Sequence, residues 1–404
     1  MTHFPPSKTG INDLTRRIDD KVAEIAPHLV ALRRDIHAHP EIGFETQRTA
    51  DLVAHELRQM GLEVTTGIGR TGVIAEITGA LPGPCLILRA DMDALPIDER
   101  TDLPFASQIQ GAMHACGHDI HTSALLGAAY VLRDLTQELA GRVRLVFQPA
   151  EETVESGAAA MIADGAAEGA DMAIAFHNQP ELPAGELRLI HGASTASSDE
   201  FCVTVLGSSG HAARPHLALD PIVACAHIIT QLQTIVSRRM DPADPMVLTI
   251  GQIAGGFTEN IIPDSCSFKG TIRCRSAQTR DMAEERFRQI CTDTARALGV
   301  RAEVTYLRGA PALQNDKTLV DRALTSLSAH FGTAPHTQTG TDFGAEDFSY
   351  FSERLPALQF HVGSGQPGRD DRLHNSDYQP DESAITLSAR ALSRLAADFL
   401  SPAR

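Results

Sequence analysis

The chain has 404 residues, of which 43% are apolar and 21% charged, and a formal net charge of −16. Those proportions belong to a globular protein long enough for two domains. They exclude a nucleic-acid reader, because phosphate binding needs a basic stripe and no Lys/Arg cluster occurs. A membrane span is excluded as well, since no stretch approaches the roughly 18 uninterrupted apolar residues it requires. Met1-Thr-His-Phe-Pro-Pro lacks the charged, apolar, small pattern of a secretory signal. The seven cysteines are odd in number and sit mostly in apolar runs such as Pro84-Cys-Leu-Ile-Leu. They read as buried thiols in a reducing compartment, so a cytoplasmic protein is expected.

In chain order, apolar residues from Ile18 through Val22, Ile25, Leu29 and Leu32 to Ile36 step by three and four and predict a helix from about Ile11 to Ala38, ended by Pro40. A second amphipathic helix is predicted over Thr46–Met60, with Gly61 as its C-terminal cap. Short β-like runs follow at Thr71–Ile77 and Cys85–Ala90, then an Ala-rich helix over Ser123–Leu135 and a strand over Arg142–Gln148. The strand Met172–Phe176 leads directly into His177. Strands alternating with helices indicate an α/β layer architecture. Between about Leu187 and Tyr306 the pattern changes to strand, helix, strand, strand, helix, strand, the split-βαβ plan of an inserted α+β domain.

Three histidines, a cysteine and an aspartate crowd His114-Ala-Cys-Gly-His-Asp-Ile-His121. Divalent transition metals bind thiolate and neutral imidazole, and Cys116 and His118 reach one point if Gly117 bends the backbone between them. The bland alternative is a loop of histidines beside a buried thiol. No second Cys or His pair follows at short spacing, so further ligands must come from elsewhere. Glu151 and Glu152 are adjacent at the end of a predicted strand, where successive side chains point apart. One can then bind metal while the other acts as a general base. Alternatively, the pair opens a helix, where acidic residues favour the N-terminal dipole.

With these motifs the sequence resembles the dinuclear-metal aminoacylase and carboxypeptidase family, in the branch of bacterial hippurate hydrolases and plant auxin-conjugate amidohydrolases. The resemblance rests on nine ordered motifs running through nearly the whole chain. The first five are Leu32-Arg-Arg-Asp-Ile-His-Ala-His-Pro-Glu-Ile-Gly-Phe-Glu, Arg89-Ala-Asp-Met-Asp-Ala-Leu-Pro-Ile, His114-Ala-Cys-Gly-His-Asp, Phe147-Gln-Pro-Ala-Glu-Glu and Phe176-His-Asn. The rest are Gly210-His-Ala-Ala-Arg-Pro-His, Gly255-Gly-Phe-Thr-Glu-Asn-Ile-Ile-Pro-Asp, Gly344-Ala-Glu-Asp-Phe and Leu373-His-Asn.

The resemblance implies a two-domain α/β protein. Its catalytic α/β/α sandwich would be residues 1–186 plus 307–404, with an inserted ferredoxin-like lid and dimerisation domain at 187–306. It implies two divalent ions (zinc, manganese, cobalt or nickel) held by Cys116, His118, Glu152, His177 and His374, with Cys116 bridging. Glu151 falls at the general base and His211 at the residue that polarises the scissile carbonyl. Asn260 and Arg273 fall where substrate is gripped. Asp91 and Asp93 fall where carboxylates orient ligating histidines; His114, His121 and His361 are left structural or supporting. Gln179 stands where many branch members have Trp, a change that enlarges or re-polarises the pocket beside His177. The implied reaction is hydrolysis of an N-acyl amino acid by a homodimer or larger homo-oligomer. The alternatives are a dipeptidase or carboxypeptidase of the same family, and a non-catalytic metal- or peptide-binding module.

Overall fold

The computed structural model of the chain describes residues 8–340 and 343–401. They form two compact units: Met1–Gly192 with Gln314–Gly340 and Tyr350–Arg404, and Ala193–Leu313 with Thr341–Ser349. The chain enters through α1 (Lys8–Ala38), α2 (Gln47–Gln59), β1 (Val64–Ile68), β2 (Gly72–Thr78), β3 (Leu81–Asp91) and α3 (His118–Asp134). Next come β4 (Ala140–Gln148), α4 (Gly157–Ala163), β5 (Met172–Pro183) and β6 (Leu187–Ala193). The second unit carries β7 (Asp199–Leu206), β8 (Gly210–His211), α5 (Pro221–Arg238), β9 (Met246–Gly255), β10 (Ile261–Ile262), β11 (Ser265–Cys274), α6 (Ala277–Ala297) and β12 (Arg301–Arg308). The chain ends with β13 (Gln314–Asn315), α7 (Lys317–Phe331), β14 (His336–Thr339), α8 (Ser349–Ser352), β15 (Ala357–Gly365) and α9 (Ser383–Phe399).

In the first unit a nine-stranded mixed sheet runs β1-β2-β4-β3-β5-β15-β6-β13, with β14 on β6. Its centre, β4-β3-β5-β15, is parallel. Parallel strands are covered on both faces, which is why β15 is buried at eight successive positions and β3 from Cys85 to Asp91, even where β15 carries Gln359 and His361. Leu86, Leu88, Leu145, Phe147, Ile174, Phe176, Leu358 and Phe360 join one core with Ile120, Leu125, Leu29 and Leu392 from the helices. The parallel strands all end on one edge, where an open α/β sheet collects functional groups.

Three boundaries differ from the sequence expectation. Helix α3 starts at His118 rather than near Ser123, because Gly117 takes a left-handed φ of 89° at its N-cap and Asp119 sits in the first turn. Glu151 and Glu152 do not open a helix: α4 begins at Gly157, capped by Ser156 Oγ accepting from Ala159 N. The strand Leu187–Ala193, expected in the inserted domain, pairs with β15 and β14 in the large sheet. The second unit thus opens at Ala193 and its main segment closes at Leu313, not at 187 and 306. Alternating Leu187-Arg-Leu-Ile reads alike in an antiparallel outer strand of either sheet.

The second unit is a four-stranded sheet ordered β12-β7-β11-β9, with every neighbouring pair antiparallel. Helices α5 and α6 cross over between β7 and β9 and between β11 and β12, the ferredoxin-like plan. Phe201, Phe268, Phe287, Ile228 and Leu232 fill its core. Beside that core the buried Asp199 carboxylate takes Arg280 Nη2 at 2.5 Å and the Tyr306 hydroxyl at 2.8 Å. Truncating one partner leaves the other charge buried and unpaired. Asp199→Ala is therefore expected to destabilise this unit by about 3–5 kcal/mol, read as an earlier transition in urea unfolding; an unmoved transition would contradict that role.

Candidate metal centre

Four segments of the first unit bring Cys116, His118, Glu151, Glu152, His177 and His374 together: the start of α3, the loop after β4, strand β5 and the loop after β15. Their ligand atoms form overlapping groups within 4.8 Å: Cys116, His118 and His177; Cys116, Glu152 and His374; and His118, Glu151 and Glu152. Cys116 Sγ lies 3.5 Å from His177 Nε2. Glu152 Oε1 lies 3.2 Å from His374 Nε2 and 3.9 Å from His118 Nε2.

Two carboxylates below this cluster fix its geometry. Asp93 accepts the backbone N–H groups of Glu151 at 2.9 Å and Glu152 at 3.1 Å, and its own carbonyl accepts His118 Nδ1–H at 2.8 Å. His118 Nε2 is thereby turned toward the cluster. Asp91 takes His121 Nδ1 at 2.6 Å and Arg89 Nη1 at 2.6 Å. His121 Nε2 in turn accepts Asn178 N, next to His177, at 3.1 Å. His177 Nδ1 pairs with the Asn178 carbonyl at 2.7 Å, which leaves Nε2 to face Cys116.

Backbone strain concentrates here. Among the described residues Arg70, Ala150 and His374 are the non-glycine positions with positive φ, and two of the three flank or belong to the cluster. Ala150, at φ 53°, re-aims the chain just before the Glu pair, while His374, at φ 63°, is tied through its N–H to Ala115 O at 2.8 Å. Gly117 is required for a second reason, since a Cβ there would lie 2.3 Å from Asn178 Oδ1.

The donor set fits metal ions. His118 Nε2 and Glu152 Oε1 are buried and lack hydrogen-bond partners among the described residues, although they face each other and Glu152 Oε1 also faces His374. Ligand atoms held about 2.0–2.3 Å from one tetrahedral ion lie roughly 3.4 Å apart, close to the 3.2–3.9 Å seen between these atoms. Charge points the same way. Burial, reinforced by Glu152, Glu151 and Asp91, pushes the Cys116 thiol well above its usual range. Burial works against a charged His118, but Asp91, Asp93 and Glu152 outweigh it and push the imidazole up to about 10. Burial likewise opposes ionised Asp91, yet His118, His121 and Arg89 hold its carboxyl well below the usual carboxylate range. Without cations this pocket thus retains protons on a thiol and an imidazole; divalent ions replace them.

The remaining sequence-predicted residues lie in the second unit. His211 and Asn260 adjoin one another at the small β8-β10 ribbon, where Ala212 N donates to Asn260 O at 3.1 Å. His211 is exposed and its Nδ1 accepts Ala213 N at 3.1 Å, so neutral His211 presents an Nε2–H donor. Arg273 is half-buried on β11. Sequence reading did not single out Asn178 or Tyr378, whose hydroxyl accepts Asn178 Nδ2 at 2.5 Å; the signal was Asn178 following His177 in a quoted motif. His361 is 7% exposed, and burial, with help from His177 and Arg188, pushes it down to about 3.

The model of Peptidase family M20/M25/M40 matches residues 87–398. An N-acetyl-L-cysteine deacetylase of Bacillus subtilis is 37% identical over 95% of this chain and 91% of its own length. Thermostable carboxypeptidase 1 of Saccharolobus solfataricus is 36% identical over 96% and 99%. A Bacillus subtilis crystal structure described as a dinuclear metal binding peptidase superposes with a TM-score of 0.82 at 33% identity, covering 94% of this chain and 99% of that one. If Asp93 is the tether that aims His118 and the Glu pair, Asp93→Ala lowers metal affinity about 10–100-fold in competition against a chelator. Unchanged affinity would show that the ligands hold position without it.

Proposed function

Because this chain belongs to Peptidase family M20/M25/M40, and so is a metal-dependent amide hydrolase, we propose that Cys116, His118, Glu152, His177 and His374 hold two divalent ions and that the substrate is an N-acyl amino acid. The observation that carries this reading is the convergence of His118 Nε2 and His374 Nε2 on the buried Glu152 Oε1, beside the Cys116–His177 pair. When bound, the ions supply Lewis-acid polarisation of the amide carbonyl and lower the pKa of water toward ~7.

The chain's residues do the rest. Cys116 places its sulfur between the two halves of the ligand set, in reach of His177 on one side and of Glu152 and His374 on the other. Glu151 projects from the same short segment as Glu152, with its backbone fixed by Asp93, and serves as the general base. It takes the proton of the attacking water and returns it to the departing amine. His211 donates through Nε2–H to the developing oxyanion, and Asn260 and Arg273 bind substrate. The N-acetyl-L-cysteine deacetylase likeness favours an acyl-capped amino acid. The carboxypeptidase likeness favours a peptide.

We also infer a homodimer. Strand β9 is an edge strand paired only with β11 among the described residues, and it exposes Val247 at 37% and Ile253 at 55%. Helix α5 of the same unit exposes Ile222, Val223 and Val236. An open edge beside an apolar helix face suits pairing with a second copy. Ile253→Lys on β9, which puts a charge on the exposed edge strand, is expected to shift the sedimentation coefficient from dimer to monomer. The described helices are too short or too polar to cross a membrane, and seven free cysteines, six of them buried, support a reducing, cytoplasmic setting.

Chelator-stripped protein is expected to regain hydrolysis of N-acetyl or N-benzoyl amino acids as zinc, manganese, cobalt or nickel approaches two per chain, with dipeptides cleaved more slowly. Glu151→Gln should keep both ions and lose turnover by orders of magnitude. Two ions bound with only dipeptides cleaved would make the enzyme a peptidase, and near-normal turnover in Glu151→Gln would remove Glu151 as the base.

A further inference from the structure

Beside the metal centre the sheet of the first unit carries a row of side chains that the hydrolytic machinery does not use. In the parallel pairing of β5 with β15, His177 stands directly opposite His361, and Gln179 opposite Gly363. In the antiparallel pairing of β15 with β6, His361 stands directly opposite Arg188. Opposed residues share a face, so His177, His361 and Arg188 form one row across three adjacent strands. Their neighbours Phe176, Phe360 and Leu189 point into the helix-covered core on the other face. His361 is 7% exposed and its Nδ1 has no hydrogen-bond partner among the described residues. Arg188 is half-buried, and its guanidinium has neither a hydrogen bond nor an ion pair among the described residues. The acid just ahead of its strand, Glu186, is instead taken by His336 Nε2 at 2.9 Å. A Cβ at Gly363 would lie 1.9 Å from Pro183 O, so the end of β5 packs closely over the middle strand beyond His361 and bounds the row on that side.

We propose that Arg188, with His361 and Gln179, forms a subsite for a carboxylate of the substrate, which makes the enzyme select anionic amides. The proposal rests on the amide-hydrolase reading above. Distance supports it. Two strand spacings put the Arg188 Cα about 10 Å from that of His177, and an arginine side chain spans much of that gap. The carboxylate of an N-acyl amino acid lies within roughly 4 Å of its scissile carbonyl carbon. A half-buried guanidinium without a counter-charge among the described residues is a fork for such a group. The carboxylate belongs either to the amino-acid half or to the acyl half, and the experiment separates these sources.

The test is calorimetric binding to zinc-loaded Glu151→Gln protein, with and without Arg188→Met, of three ligands: N-acetylmethionine, N-acetylmethioninamide and N-succinylmethioninamide. Turnover of the same compounds is measured in the Glu151 background. Arg188→Met is expected to weaken the carboxylate-bearing ligand about 10–100-fold, the range of a hydrogen-bonded charge, to leave N-acetylmethioninamide within about 3-fold, and to keep the bound zinc count. Arg188→Lys should recover part of the loss. Loss confined to N-acetylmethionine assigns the amino-acid carboxylate, and loss confined to the succinyl compound assigns the acyl carboxylate. Equal loss for all three ligands, or none, overturns the subsite. Carboxylate binding that depends on Arg188 without turnover in the Glu151 protein keeps the subsite and overturns the N-acyl amino acid reading instead.

Discussion

Two buried carboxylates, Asp91 and Asp93, hold the site together. Both are essentially inaccessible, and both stand where β3 runs out at the C-terminal edge of the parallel strands. Asp93 ties the segment after β4 to the start of α3, and Asp91 ties α3 to β5 through His121 and Asn178. A loop, a helix start and a neighbouring strand are thereby locked to one strand end. Burying charge is costly unless it is paired and hydrogen-bonded, and each of these carboxylates has that compensation. Above them His118 Nε2 and Glu152 Oε1 are buried without hydrogen-bond partners among the described residues, which gives the cluster its capacity for cations.

The same logic extends outward. Asp119, next to His118, is buried against Arg33 Nε at 2.6 Å and His37 Nδ1 at 2.8 Å, so the first turn of α3 is anchored from α1 as well. Burial opposes an ionised Asp119, but Arg33 and His37 outweigh it and hold the carboxyl far below its usual range. Arg33 and His37 both lie in the first long motif of the sequence, far in the chain from any ligand. Their contacts give that motif a physical reason: it clamps the helix that carries His118. Buried ion pairs contribute little net stability but are expensive to break, so this clamp serves position more than stability.

Much of this was legible in the sequence. The helices over residues 18–36 and 46–60 follow from strict three-and-four spacing, and the parallel strands from short apolar runs. The ligand candidates were legible because each sits in a short contiguous motif. What escaped had no local signature. The start of α3 at His118 depends on a left-handed glycine whose φ no residue pattern announces. The boundary near residue 187 failed because an outer antiparallel strand alternates in the same way in either sheet. His361 and Arg188 meet only through the β5-β15-β6 register, with strands drawn from distant parts of the chain. Tyr378 reaches Asn178 across 200 residues.

The most direct measurement is X-ray absorption at the zinc edge on protein loaded with two ions per chain, compared with Cys116→Ser. The account predicts a sulfur scatterer at about 2.3 Å seen by zinc in the parent protein and missing from the variant, with nitrogen and oxygen at about 2.0–2.2 Å retained in both. A parent spectrum at full occupancy with no sulfur in the coordination shell would contradict a centre built around Cys116.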